Sequence, residues 1–195
     1  MDIILVLFTA LWLLFPAMTS NSWAAWLGGG TPMDFGRSWR GKRIFGDGKT
    51  WRGLFFGILL GTLVGFAEMF LIALSMGAGF VMYSPTHWGF GATYLDAAPL
   101  LVVLCTGALL GDAGKSFFKR RLGMERGKKA PIIDMYDFLI GALLFSFIFY
   151  FNWTMENLFD NYNWIGLILL LILIPLLHRG FNIIGYKMGK KNVPW

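Results

Sequence analysis

The chain has 195 residues, 56% of them hydrophobic and only 14% charged, with a formal net charge of +6. So apolar a composition excludes an ordinary soluble domain, and the single Cys105 excludes a disulfide framework or a cysteine-based metal site. The expected class is an all-α polytopic membrane protein, a bundle of about five helices forming one integral membrane domain over residues 1–195.

Expected spans, in chain order, cover about 3–27, 54–76, 97–111, 138–153 and 164–177. The first apolar run lacks the basic start of a signal peptide and exceeds its apolar region in length, so it is expected to remain as a span. Asn21, in its inner half, either hydrogen-bonds a neighbouring helix or faces a site. The second span carries Glu68 in its middle, an intramembrane carboxylate and so a candidate functional group. Gly57, Gly61 and Gly65 on the same span are candidates for a groove that admits lipid chains. Residues 77–96 form an outer connection expected to lie on or dip into the membrane. The third run, fifteen uncharged residues, makes only about 22 Å of helix at 1.5 Å per residue. Either the outer connection lengthens it, or Asp112 lies at or below headgroup level.

Charge placement orients the bundle. Every Lys and Arg falls within 37–52, 115–129 or 179–191, whereas the other polar connections carry Asp96, Glu156 and Asp160 with no basic residue. The positive-inside rule makes those three segments cytoplasmic, giving an N-out, C-in chain. Orientation alone accounts for the basic clusters, so nucleic acid is not an expected partner.

Two cytoplasmic loops, 28–53 and 112–137, carry more than orientation requires. The stretch from Gly111 to Asp137, GDAGKSFFKRRLGMERGKKAPIIDMYD, holds seven of the seventeen Lys and Arg residues and four of the eleven acids. If the third helix continues past Gly111, Asp112, Ser116 and Lys119 share one stripe at i, i+4 and i+7. Asp134 and Asp137 share a face at i and i+3, and carboxylates so grouped suit Mg²⁺, which completes its shell with phosphate and water. Helix capping is the competing account of Asp134. The first loop is rich in glycine, which permits close backbone approach to a phosphate. Its fragment GDGKT (Gly46, Asp47, Gly48, Lys49, Thr50) echoes GDAGKS around Lys115 and Ser116. Neither fragment completes the G-x-x-x-x-G-K-[ST] pattern, since Arg43 and Leu109 stand where its first glycine belongs, so a Walker-type ATPase is excluded. The echo instead suggests that both loops grip one polyphosphate, with Arg43 among the basic residues of the first.

GDAGKSFFKRR followed by DMYD resembles the G-D-x-x-x-S-x-x-K-R … D-R-x-D pattern of the CDP-diacylglycerol synthases. PMDFGRSWRGKRIFGDGKTWRG, together with the second loop, is most similar to their archaeal branch, the CDP-archaeol synthases, over essentially the whole chain. The resemblance implies a membrane cytidylyltransferase that joins CTP to the phosphate of an isoprenoid ether lipid, using Mg²⁺ and leaving room for a second cation such as K⁺. It implies Asp112, Asp134 and Asp137 as metal-binding acids and Ser116, Lys119 and Arg120 as nucleotide contacts. Lys115 and Lys49 are expected to join Lys119 and Arg120 around the triphosphate, whereas Arg121, further round the helix, is expected to matter less and to face headgroups. Two departures stand out: Met135 replaces the arginine of the final motif, and the His-Gly-Gly before it is absent, with Lys128 and Lys129 as candidates for the missing charge. The alternative function is a small ion- or proton-coupled transporter using Glu68, although the halves show none of the inverted symmetry of transporters. The sequence carries no signature of a particular oligomeric state.

Overall fold

A computed structural model describes residues 2–77, 89–124 and 131–187. Five long helices dominate: α1 (Ile3–Leu27), α2 (Trp51–Gly77), α3 (Tyr94–Arg121), α4 (Pro131–Phe149) and α6 (Asn163–Lys187). A short α5 (Phe151–Thr154), a π turn (Met155–Phe159) and a 3-10 turn (Asp160–Tyr162) link the last two. Among the described residues, Ile3–Leu27, Trp51–Ser75, Tyr94–Arg121 and Phe151–Leu176 are long and apolar enough to cross a membrane. The protein is a multi-pass membrane protein built on a helical bundle. Residues 78–88 of the expected outer connection, and Lys128 and Lys129, lie outside the described residues.

The helices run past the apolar stretches that announce them. Asp2 caps α1, its Oδ1 accepting from the backbone N–H groups of Ile4 and Leu5. Thr93 and Asp96 form a reciprocal capping box that starts α3 outside its apolar run. The helix then continues to Arg121, and its 28 residues make about 42 Å at 1.5 Å per residue. The short third run is thus the middle of a long helix, and Asp112 sits inside that helix rather than in a loop. Likewise α6 carries on to Lys187, past the span expected to end at about residue 177.

Small residues let the helices approach. Added Cβ atoms at Gly57 and Gly61 would meet the Ser20 and Pro16 carbonyls at 2.9 and 3.0 Å, and one at Gly65 would run into Leu101. These three glycines are therefore closed against α1 and α3, as small residues are at membrane helix interfaces, and the expected lipid groove along α2 is filled. Gly107 and Gly111 of α3 meet Gly141 of α4 so closely that a Cβ at any of them would strike facing backbone. That crossing matters for function, because it sets the C-terminal half of α3 against the first turns of α4. Leu13, Leu14, Leu100, Leu101, Leu104 and Leu170 fill the core between the helices.

Between α1 and α2 the first loop folds into a small hairpin. Strands β1 (Ser38–Trp39) and β2 (Lys42–Arg43) pair antiparallel, Ser38 with Arg43 and Trp39 with Lys42. The two connecting residues, Arg40 and Gly41, both have positive φ, 51° and 74°, as a type I′ turn requires.

Candidate active site

The α3–α4 crossing gathers the acids of the second loop around one ammonium. Lys115 Nζ lies 2.9 Å from Asp112 Oδ1, 2.5 Å from Asp137 Oδ2 and 3.6 Å from Asp134 Oδ1. Asp112 and Lys115 are neighbours at i and i+3 on α3, while Asp134 and Asp137 stand one turn apart on α4. Lys119, the next turn of α3, donates to both oxygens of Asp134 at 3.0 and 3.1 Å. Asp134 is therefore engaged across the helix pair, which is more than a helix cap does. Ser116 shares the stripe, but its hydroxyl donates back to the Asp112 carbonyl at 3.1 Å. The cluster is sheltered: the side chains of Lys115 and Lys119 are 15% and 16% exposed, and that of Asp137 only 5%.

Asp34 organises the first loop. Its carboxylate is buried and accepts from Arg43 (2.8 Å) and from the backbone N–H groups of Gly36, Phe45 and Gly46 at 3.0, 3.0 and 2.9 Å. Burial alone would push its pKa up, but the Arg43 guanidinium and the three backbone donors outweigh it and hold the carboxyl well below the usual range. Arg43 also pairs with Asp47 at 2.8 Å. The loop then turns through Gly46, at φ 91°, where the Arg120 guanidinium lies 3.4 Å from an added Cβ position. Past this turn Lys49 reaches α3 and pairs with Asp112. Thr50 does not present its hydroxyl: Oγ1 accepts from Gly29 and Gly53 N–H at 3.2 and 3.1 Å and caps α2.

Both loops thus meet at Asp112, which takes Lys49 from the first and Lys115 from its own helix. Three carboxylates and three ammonium groups (Lys49, Lys115, Lys119) balance in charge. Arg120 faces Gly46 and donates to the Met124 carbonyl at 2.8 Å. It lines a cavity of about 350 Å³ with Lys42, Arg43, Gly46 and Asp47. A second cavity, of about 530 Å³, begins at Lys49, Asp112, Lys115 and Asp137 and extends between α1, α4 and α6. Gly48 lines a smaller opening of about 70 Å³ beside Lys49 and Asp112.

Two functional positions were missed or misjudged in the sequence. Asp34 looked like one acid in a basic loop, yet an acid among six basic residues and many glycines is the signal of a loop organiser. Arg121 was expected to face headgroups. Instead it donates to the carbonyls of Lys42 and Arg43 at 2.9 and 2.8 Å, locking the hairpin onto the end of α3. Met135, which stands where the bacterial motif has arginine, lines the larger cavity. Glu68 is 5% exposed, lies three residues beyond Gly65 and its contact Leu101, about four turns of α3 from Asp112, and lines none of these three cavities.

Among the described residues no three acids or histidines converge as a ready-made metal cage. The three aspartates are instead spread around Lys115. The donor set still fits a hard divalent cation, because all donors are carboxylate oxygens. Asp137 Oδ2, moreover, is buried and faces the Lys115 ammonium at 2.5 Å, a place that a cation would contest.

A family model described as "CarS-like: CDP-archaeol synthase" matches residues 2–195. The chain belongs to the CDP-archaeol synthase family. It is 46% identical over 190 residues to a CDP-archaeol synthase of Methanocorpusculum labreanum, covering 92% of this chain and 99% of that protein. It is 43% identical to one of Pyrococcus horikoshii, with 97% of each chain covered. The solved structure of an intramembrane enzyme for archaeal membrane lipid biosynthesis superposes with a TM-score of 0.65 at 31% identity, covering 89% of this chain and 92% of that one. The family resemblance read from GDAGKSFFKRR, DMYD and the first loop is therefore correct. As a CDP-archaeol synthase family member, the protein is a membrane-embedded nucleotidyltransferase of archaeal phospholipid biosynthesis.

Proposed function

We propose that the protein transfers the cytidylyl group of CTP to the phosphate of an unsaturated archaeal ether lipid, 2,3-di-O-geranylgeranylglyceryl phosphate, giving CDP-archaeol and pyrophosphate. The observation that carries this reading is the meeting of Lys49 and Lys115 on Asp112, which brings a glycine-rich basic loop and a carboxylate cluster to one point. The Lys and Arg distribution supports a cytoplasmic position for that point, where CTP is found.

The phosphate of the lipid attacks the α-phosphorus of CTP, and the bond from that phosphorus to the bridging oxygen of pyrophosphate breaks. A phosphate monoester has its second pKa near 6 and is largely dianionic at neutral pH, so no side chain need remove a proton. The chain's task is positioning and charge neutralisation. Lys49, Lys119 and Arg120 surround the triphosphate, while Arg43, Gly46, Asp47 and Gly48 form the wall of the nucleotide cavity. Lys115 leaves its carboxylates to meet phosphate oxygens as they arrive. Asp112, Asp134 and Asp137 would hold Mg²⁺, which supplies Lewis-acid neutralisation of the phosphates when bound.

Purified protein given CTP labelled at the α-phosphate, Mg²⁺ and the lipid phosphate should yield an organic-phase product carrying the label, while label at the γ-phosphate stays in pyrophosphate. Label from the γ-position in the lipid would make the protein a kinase and overturn the reading.

A further inference from the structure

The cavity of about 530 Å³ has a graded lining that the nucleotide does not explain. Its inner end is Lys49, Asp112, Lys115 and Asp137, and its outer part is Phe15 and Met18 of α1, Phe138 of α4 and Ile174 of α6. From Ser22 to Phe15 the lining runs seven residues along α1, about 10 Å at 1.5 Å per residue. Phe15 is 45% exposed, so the apolar end opens sideways on the surface that meets the bilayer. Between charged floor and apolar mouth stands Asn21, whose Oδ1 is buried and takes no hydrogen bond. Asn21 also lines the small opening under Gly48 and Lys49, so it borders both spaces. The opposite face of α1 offers no rival path, because Gly57 and Gly61 close it against α2.

We propose that this cavity is the binding site of the lipid phosphate, entered from the membrane between α1, α4 and α6, with Asn21 as the residue that positions its head. The inference rests on the cytidylyl-transfer reading for the identity of the lipid. The volume falls in the range of about 300–1,000 Å³ usual for small-molecule sites, which suits a glycerol phosphate head and the near ends of two chains. The rest of each chain stays in the bilayer. The phosphate stops at Lys49 and Lys115, where the nucleotide's α-phosphate is within reach from the other side. The Asn21 NH2 group donates to a phosphate or ether oxygen of the head without adding charge. Met18, Phe138 and Ile174 set the width available to the first chain carbons.

A phosphate lipid carrying a diazirine near the head of its isoprenoid chain tests the site without turnover. Photolysis in membranes, in the absence of CTP, should label the α1 segment around Phe15–Met18 or the facing turns of α4 and α6. An excess of unlabelled lipid phosphate should suppress that labelling, and the corresponding lipid alcohol should not. Equal suppression by the alcohol means an ordinary bilayer contact and overturns the site. So does label concentrated on α2. In the assay, Met18→Trp and Asn21→Ala should each raise KM for the lipid roughly tenfold, about 1.4 kcal/mol, and leave KM for CTP unchanged, while Phe70→Trp, on the exposed face of α2, changes neither. An unchanged lipid KM in both cavity variants also overturns the proposal. Absence of any CTP-dependent product from the wild type would instead sink the cytidylyl-transfer reading, and the labelling map would still decide where the lipid phosphate binds.

Discussion

The guanidinium of Arg121 lies 5.3 Å from the ring centroid of Trp39 and donates to that residue's own carbonyl. Phe117 stacks on the same indole, with centroids 5.7 Å apart and planes at 17°. Together with its bonds to Lys42 and Arg43, one side chain satisfies three carbonyls of the hairpin, and Lys42 Nζ answers with a bond to the Arg121 carbonyl at 3.1 Å. Only a planar fork of donors does this. The hairpin in turn leads through Arg43 and Asp34 to the Gly46 turn and Lys49, so Arg121 acts at the nucleotide site through the loop.

Arg121→Lys should therefore raise KM for CTP roughly tenfold, about 1.4 kcal/mol, with a smaller effect on kcat. Trypsin should cut at Arg40 or Lys42 faster in the variant than in the wild type. Unchanged KM and unchanged cleavage would restore the view of Arg121 as a headgroup contact.

Asp34 predicts a pH dependence of definite sign. Its folded pKa is depressed, chiefly by Arg43 and three backbone donors acting against burial. A depressed carboxylate contributes stability that is fully present above the ordinary value near 3.9 and is lost only as pH falls through the lower folded value. Hydrogen exchange at the Gly46 amide, corrected for the intrinsic rate, should thus show constant protection from about pH 8 to pH 4 and lose it only in stronger acid. Asp34→Asn should weaken protection across that whole range. Loss of wild-type protection between about pH 6 and pH 4 would mean that Asp34 titrates like an exposed aspartate.

Asp112→Asn, Asp134→Asn and Asp137→Asn each remove a hard oxygen ligand and keep side-chain volume. Each should abolish nearly all turnover while the variant still elutes as a folded monodisperse species in detergent. Raising Mg²⁺ should recover part of the loss. Half of wild-type activity in Asp134→Asn at limiting Mg²⁺ would reduce that residue to an anchor for Lys119.

The helices and the basic loops were legible because their signals are local. Apolar runs mark the spans, and Asp112, Ser116 and Lys119 recur at helical spacing. Extents were less legible: the capping box of Thr93 and Asp96 lengthens α3 by polar residues that look like loop. What contact resolves was hidden. Gly57, Gly61 and Gly65 read equally as an open groove or a closed interface, and only the partners Ser20, Pro16 and Leu101 decide. Thr50 matched Ser116 in sequence, but the N–H groups of Gly29 and Gly53 occupy its hydroxyl. Arg121 differs from Arg120 by one position, about 100° of helix, enough to send one to the hairpin and the other to Gly46.

Glu68→Gln should leave cytidylyl transfer intact. Gly65 of α2 meets Leu101 of α3, eleven residues from Asp112, and Glu68 lies a further three residues out, about 21 Å from Asp112 in all. A collapse of kcat with CTP binding and folding preserved would return the intramembrane carboxylate to the mechanism.

Lys115→Met separates the two roles of the central ammonium. In the free protein Lys115 neutralises three carboxylates, so its removal leaves Asp112, Asp134 and Asp137 with Lys49 and Lys119 alone, a local excess of one negative charge. A divalent cation should then bind more tightly without nucleotide, by roughly tenfold or about 1.4 kcal/mol. Calorimetric titration with Mg²⁺ alone reads this directly. CTP should bind more weakly, since one phosphate partner is gone, and turnover should fall steeply. The opposite movement of the two affinities is the diagnostic, because damage to the fold would weaken both. Mg²⁺ affinity that drops along with CTP affinity would show that Lys115 supports the carboxylates' geometry and does not occupy the cation's place.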